Sequence, residues 1–388
     1  MSAPASAELP LTVVCDPRFS EYAFGPDHPF DETSRTFAVR LFEASLRPEQ
    51  RGRVSWQRTV EPAPASELGR FHTPAFLDLV RARSEAGDRR PLDDGDTPSF
   101  PGCYPAAARI AAGTALAVRT VLERPGFAFV PAGGLHHAHP DRASGFCIFN
   151  DLAVGIASAL GAGRRVAYID IDVHHGDGVM YGFYDSGRVL DIDFHQDGTT
   201  IFPGTGATGE TGAGDGAGLK VNVPLPPRAG DDALVPLARR LLPPLLRDYR
   251  PELVVLQHGV DGHWGDPLAR LQYTPAGYAA VDRLVIGLAR ELGGRLVVTG
   301  GGGYQPGAVS RVLARTGYAL AGLPLPPEAD PLPEAWKVEY FETFGEPAPA
   351  RWVDPPELEW SPWGRASEER VVRELEEALG RSFPSPAE

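Results

Sequence analysis

Residues 166–179 read Val-Ala-Tyr-Ile-Asp-Ile-Asp-Val-His-His-Gly-Asp-Gly-Val. Asp170, Asp172 and His174 fall at alternate positions, and His175 and Asp177 follow beside two glycines. Side chains two apart on a strand share a face, about 7 Å apart, so a strand that ends or bends here can turn Asp172 and His174 onto one ion. Carboxylates at the end of an apolar strand are costly unless they hold a cation or a paired histidine. A charged turn would explain one such carboxylate; it accounts poorly for five polar groups in eight residues.

Eight of the ten histidines lie between His136 and His263, a clustering that points to metal or acid–base chemistry. In Gly-Gly-Leu-His-His (residues 133–137), His136 and His137 are either two solvated imidazoles of a tight turn or an acid–base pair. Asp170 and Asp177 are available to orient them, as carboxylates commonly do for working histidines. Asp261 follows another apolar run, and with Asp172 and His174 it makes a set of two carboxylates and one imidazole. Such a set cancels a divalent charge and leaves coordination positions open, as a hydrolytic zinc or iron site requires. Tyr304, after four glycines, is either a loop anchor or a phenol on a mobile loop that donates to an oxyanion.

These groups need a scaffold, and the chain alternates apolar runs with helical spacing. Strands are expected at residues 11–15, 126–131, 166–170, 188–194, 219–223, 253–257 and 295–299. Helices are expected at 31–46, 74–80, 105–123, 151–160, 231–246, 274–293 and 367–379. The alternation predicts an α/β fold with a mostly parallel sheet and helices on both faces. Polar clusters follow the C-terminal ends of strands, where open α/β sheets place their sites. Residues 92–104 read as a long acidic loop, and long loops in compact domains are often functional. Beyond Gly322 the chain turns rich in proline and tryptophan, with Trp336, Trp352, Trp360 and Trp363, and is expected to pack on the main body.

The 388 residues are 43% hydrophobic and 23% charged, enough to bury a large core. A net charge of −14 argues against nucleic-acid binding, which needs basic patches, and is compatible with a basic peptide substrate. Cys15, Cys103 and Cys147 are widely spaced without a CxxC pair, as expected in a reducing compartment. Residues 1–11 lack a signal pattern and no run reaches the length of a membrane span. The expectation is a cytoplasmic protein of undetermined oligomeric state, with no nucleic-acid or membrane partner.

The motifs together resemble the histone deacetylase superfamily. Gly-Gly-Leu-His-His (133–137), Ser-Gly-Phe-Cys (144–147), Tyr-Ile-Asp-Ile-Asp-Val-His-His-Gly-Asp-Gly (168–178), Phe-Pro-Gly-Thr-Gly (202–206), Gln-His-Gly-Val-Asp (257–261) and Gly-Gly-Gly-Gly-Tyr (300–304) occur in that family's order and spacing. The resemblance covers residues 11–320, and the run His-Ala-His-Pro-Asp-Arg-Ala-Ser-Gly-Phe-Cys (137–147) favours its bacterial acetoin-utilization subgroup. It implies a three-layer arginase/deacetylase-like fold, with a catalytic domain over 1–321 and an extension over 322–388. It also implies zinc- or iron-dependent removal of acetyl groups from acetyl-lysine on proteins or peptides. Asp172, His174 and Asp261 would bind the metal, and His137, oriented by Asp177, would be the general base. His136 with Asp170 would tune the charge beside it, and Tyr304 would donate to the acetyl carbonyl. Phe146 would wall the lysine tunnel, with Gly145 and Gly302 also lining the substrate. Asp96 would grip the substrate backbone, and Arg35 would line an internal cavity for acetate. A structural potassium ion would use carbonyls of Asp170, Asp172, His174, Asp193 and Phe194, although Asp193 stands where the family often has a small hydroxyl residue. The subgroup suggests an acetylated metabolic enzyme such as acetyl-CoA synthetase as substrate.

Three rival readings remain at this level: an acetylpolyamine deacetylase, a two-metal hydrolase on the same scaffold, and a catalytically silent acetyl-lysine-binding protein. His258, and His263 with Trp264, either line the tunnel mouth or simply pack.

Overall fold

The computed structural model describes residues 9–93 and 95–384. Asp94, in the expected acidic loop, and residues 1–8 of the expected signal-free N-terminus lie outside the described residues. Eight short apolar runs form one sheet: β1 (Leu11–Val14), β2 (Val54–Gln57), β3 (Gly126–Val130), β4 (Val166–Asp170), β5 (Val189–Gln196), β6 (Lys220–Leu225), β7 (Leu253–Gln257) and β8 (Arg295–Thr299). Their order is β2-β1-β3-β8-β7-β4-β5-β6, and every pairing is parallel.

Apart from the edge strand β2, the strands are largely buried on both faces, as a parallel sheet covered by helices must be. Side chains alternate between two apolar layers. Phe129, Ile169, Leu256 and Val298 face one layer; Val130, Tyr168, Val255 and Val297 face the other. The first layer holds helices Thr33–Ser45, Asp231–Tyr249, Pro275–Glu291 and Pro306–Leu320, and the second holds Pro74–Ala86, Cys103–Glu123 and Asp151–Gly161. This is the expected three-layer arrangement of the arginase/deacetylase type.

Register decides where the site forms. Val130, Thr299, Gln257, Asp170 and Asp193 are successive partners across β3, β8, β7, β4 and β5. β3, β8, β7 and β4 end on this line, so the segments leaving them start together on one side of the sheet, beside Asp193 within β5.

Several elements were not expected from the sequence, among them helices Ala65–Leu68 and Asp177–Gly182, strand β2 and helix Pro306–Leu320. β2 is a four-residue edge strand whose short Val-Ser-Trp-Gln run carries little pattern. Helix Pro306–Leu320 had no assignment; its sequence separates polar from apolar residues at helical spacing, but the polar Ser310, Arg311, Arg315 and Thr316 are themselves buried. Gln305 caps it by accepting the Ala308 N–H, and Pro306 sits at its first position. In the tail, helices Glu334–Phe344 and Arg365–Leu379 form, and Trp336, Trp352 and Trp363 enter the first apolar layer while Trp360 stays exposed.

Candidate active site

β4 ends at Asp170, and the chain then bends to carry Asp172 and His174. Asp261, four residues past β7, comes in beside them. One ligand atom from each of Asp172, His174 and Asp261 lies within 4.8 Å of the others. His174 Nδ1 is 3.2 Å from Asp172 Oδ1 and 3.0 Å from Asp261 Oδ2. The free carboxylate oxygens are fixed from behind: Asp172 Oδ2 accepts from Gln257 Nε2 (2.8 Å) and Gly302 N–H (2.7 Å), and Asp261 Oδ1 accepts from Val173 N–H (2.8 Å). Gly302 has no substitute here, since an added Cβ would collide with Asp261 Oδ2.

All three residues are buried. Two buried carboxylates that share one imidazole require a cation or a shared proton. Burial and the neighbouring Asp172 push the Asp261 carboxyl up to about 6. The donor set, two oxygens and one nitrogen with two negative charges, suits a divalent ion that keeps open positions.

The segment after β3 delivers the histidine pair. His136 Nδ1 is 2.8 Å from Asp170 Oδ2, His137 Nδ1 is 2.7 Å from Asp177 Oδ1, and the two Nε2 atoms are 3.1 Å apart. The expected partnerships are therefore the ones formed. Burial disfavours a charged His136, but Asp170 and then Asp172 outweigh it and lift the pKa to about 10. Burial, and next the charge on His136, push His137 down to about 4. A charged imidazole thus stands against a neutral one, which leaves His137 free to accept a proton at neutral pH.

Sequence reasoning gave no role to His139, yet its Nε2 lies 3.1 Å from the second oxygen of Asp177. A third histidine two residues past the pair was the available signal. Tyr304 ends the glycine loop after β8, and its N–H donates to Asp266 Oδ2 (2.8 Å). Burial, then Asp261 and Asp172, hold the Tyr304 phenol well above its ordinary pKa, so it stays a donor.

Phe146 sits in the left-handed region at φ 66°, a strained conformation for an aromatic residue. Tyr22 Oη donates to Phe146 O (2.7 Å), and Phe146 N–H donates to Thr97 Oγ1 (3.0 Å). Its ring lies 6.0 Å from that of Tyr304. Phe202, named only within a motif, puts its ring 5.1 Å from His137 and 6.4 Å from His174. Gly145 is squeezed between them, since a Cβ there would strike His137 and Phe202. Asp96 lies beside this wall: His28 Nε2 is 3.2 Å from its carbonyl, and burial with Asp93 nearby pushes its carboxyl up to about 6.

Arg35 is buried on the inner side and donates through Nε and Nη2 to Gly301 O, next to Gly302. It also lines a cavity of about 80 Å³ with Val14, Cys15, Pro131 and Ala132. Asp193 and Phe194 follow on β5, where Asp193 pairs in register with Asp170. The Asp193 carboxylate is fully engaged, accepting from Gly176 N–H (2.7 Å) and lying 2.7 Å from His195 Nδ1. His258 packs: it is fully buried, 3.0 Å from Asp282 and stacked on Tyr278. His263 and Trp264 line a different cavity, with Gln305, Arg311 and Asp354.

A carboxylate–imidazole cation cradle beside a charged and a neutral histidine, on a parallel α/β sheet, places the chain among arginase/deacetylase-type hydrolases. A family model described as "Histone deacetylase domain" matches residues 28–320. The acetoin utilization protein AcuC of Bacillus subtilis is 33% identical over 358 residues, covering 89% of this chain and 90% of that protein. "Histone deacetylase 6" of Arabidopsis thaliana is 33% identical over 92% of this chain and 75% of its own length. A "Probable deacetylase" of Archaeoglobus fulgidus is 34% identical over 71% of this chain and 78% of its own length. The chain belongs to the histone deacetylase family, and so to its amidohydrolases.

Proposed function

We propose that this protein is a metal-dependent protein lysine deacetylase, which hydrolyses acetyl-lysine side chains to lysine and acetate. The observation that carries the reading is the His137 imidazole, oriented by Asp177, standing beside the Asp172–His174–Asp261 donor set. A zinc or ferrous ion on those three residues would supply Lewis acidity to the acetyl carbonyl and acidify the attacking water.

The chain's own residues do the rest. Phe146 and Phe202 flank the apolar stem of the lysine, with Gly145 and Gly302 leaving room where a side chain would obstruct. Asp96 at the rim accepts from the substrate backbone. His137 Nε2 takes a proton from the attacking water, while Tyr304 donates to the carbonyl oxygen as negative charge develops there. His136, charged against Asp170, stabilises the same charge. His137 then returns its proton to the leaving nitrogen as the C–N bond breaks, and the acetyl carbon leaves as acetate. Arg35 offers that anion a cation on the inner side.

A structural potassium ion would sit at the carbonyls of Asp170, Asp172, His174, Asp193 and Phe194. Residues 1–321 would form the catalytic unit and 322–388 an extension of it. Among the described residues no helix is long and apolar enough to cross a membrane. The acidic chain is compatible with a basic, acetylated protein substrate in the cytoplasm, acetyl-CoA synthetase being one candidate.

The test is acetate release by metal-loaded protein from acetyl-lysine peptides and from an acetylated polyamine, with chelated protein as the blank. Metal-dependent release from peptides is expected. Release from the polyamine alone would move the substrate to small cations, and no release from either would leave a binding protein.

A further inference from the structure

His263 and Trp264 belong to a cavity of about 200 Å³ behind the loop that ends in Tyr304. Its wall includes Pro275, the first residue of helix Pro275–Glu291, and Gln305 and Ala308 at the start of helix Pro306–Leu320. Arg311 and Asp354 complete the charged part of the wall.

His263 is only 5% exposed. Its Nδ1 accepts the Gly265 N–H at 3.1 Å, which places the proton of the neutral ring on Nε2. The Nε2–H has no partner among the described residues. Arg311, also 5% exposed, donates Nε to Gly307 O (2.8 Å) and Nη1 to Arg351 O (3.0 Å) and Asp354 Oδ2 (2.7 Å). Its Nη2 likewise has no partner among the described residues.

Neither N–H is sealed off: each side chain is nearly buried, yet its unpaired N–H stays accessible. Here two nearly buried residues, an imidazole and a guanidinium, each bring a free N–H to one cavity, and two helices begin at its wall. The positive ends of those helices favour negative charge nearby. A ligand answering this lining offers two or more acceptor oxygens in a compact group, and about 200 Å³ has room for it where one liquid water takes about 30 Å³.

We propose that this cavity binds a small oxyanion, a carboxylate or a phosphate, held by His263 Nε2–H and Arg311 Nη2. The site is separate from the reaction proposed above and requires none of it. It still adjoins the catalytic loop: Gln305 follows Tyr304, and Asp266, which holds the Tyr304 N–H, donates its own N–H to His263 O (2.9 Å). An occupant therefore bears on both supports of the phenol.

The experiment is a titration of full-length, histidine-¹⁵N-labelled protein with inorganic phosphate and, separately, with acetate, against chloride at equal ionic strength. His263→Phe identifies the resonances. Expected is a saturable shift of the His263 ring with one of the two anions below about 50 mM, a millimolar-class affinity. Saturation by phosphate alone assigns a phosphate-bearing ligand, and by acetate alone a carboxylate. Asp354→Asn, at a half-exposed position, frees Arg311 from its carboxylate and should tighten binding roughly threefold or more. Shifts no larger than those from chloride, or unchanged affinity in Asp354→Asn, overturn the proposal.

Discussion

At the residue scale, the groups legible in the sequence were those set by local spacing. Asp170, Asp172 and His174 lie at alternate positions past a strand, so their convergence needed only a bend. Asp261 was legible because a second apolar run ended just before it. His139 and Phe202 were not, because their approach depends on packing: Asp177 lies 38 residues from His139, and the Phe202 loop reaches His137 only once the sheet is built. The Tyr304 assignment carries the sharpest residue-level prediction. Its phenol, kept protonated by burial and by Asp261 and Asp172, is the one neutral donor proposed for the developing oxyanion. Tyr304→Phe keeps the ring against Phe146 and removes only that donor. Turnover should fall by about 10²–10³, while metal content by elemental analysis stays at the wild-type level. Wild-type turnover in this variant would show that another group stabilises the charge.

At the element scale, strands were easier to read than one of the helices they hold. A parallel strand buried on both faces is a continuous apolar run bounded by turn residues, and β7 and β8 were delimited to the residue on that basis. Helix Pro306–Leu320 was not assigned although Arg311 and Arg315, four apart, share one helical face; in the fold that polar face is itself buried. Helix Thr33–Ser45 poses a different problem at its start. Glu32 occupies its N-cap position without making a capping hydrogen bond. Both carboxyl oxygens are buried without a partner, and Arg35 Nε is 4.0 Å away. Burial raises the Glu32 pKa from its ordinary 4.5 to about 8, against the pull of Arg35. The folded chain therefore holds a proton that the unfolded chain releases, and stability is lost as pH rises from about 4.5 to about 8, on the order of 4 kcal/mol at most. Glu32→Gln keeps the shape and removes the titration. Its thermal midpoint should match wild type near pH 5 and exceed it increasingly toward pH 8. A gap independent of pH across that window would mean that Glu32 is not the titrating group.

At the scale of the whole molecule, the alternation of apolar runs and helices led to the parallel sheet, and the order of the motifs along the chain led to the family. The tail was harder to read, because proline-rich sequence carries no periodicity and its anchors are single aromatic residues. Trp336 is such an anchor: it is 2% exposed, its Nε1 donates to Phe37 O at 3.0 Å, and its ring meets Phe37 and Tyr340 at 6.0 and 5.1 Å. The helix it contacts, Thr33–Ser45, also packs along Pro306–Leu320 and carries Arg35 against Gly301 O. Through that helix the tail braces the inner side of the site without touching the donor set. Trp336→Ala opens a cavity at this joint and should cost about 3–5 kcal/mol, as large aromatic truncations in cores do. The thermal midpoint is expected to fall by several degrees, while acetate release per correctly folded molecule at 25 °C stays near wild type. If the midpoint does not move, residues 322–388 are an appendage rather than part of the core. If the midpoint holds and release collapses, the tail acts on the site directly, and the brace assigned to helix Thr33–Ser45 is the wrong connection.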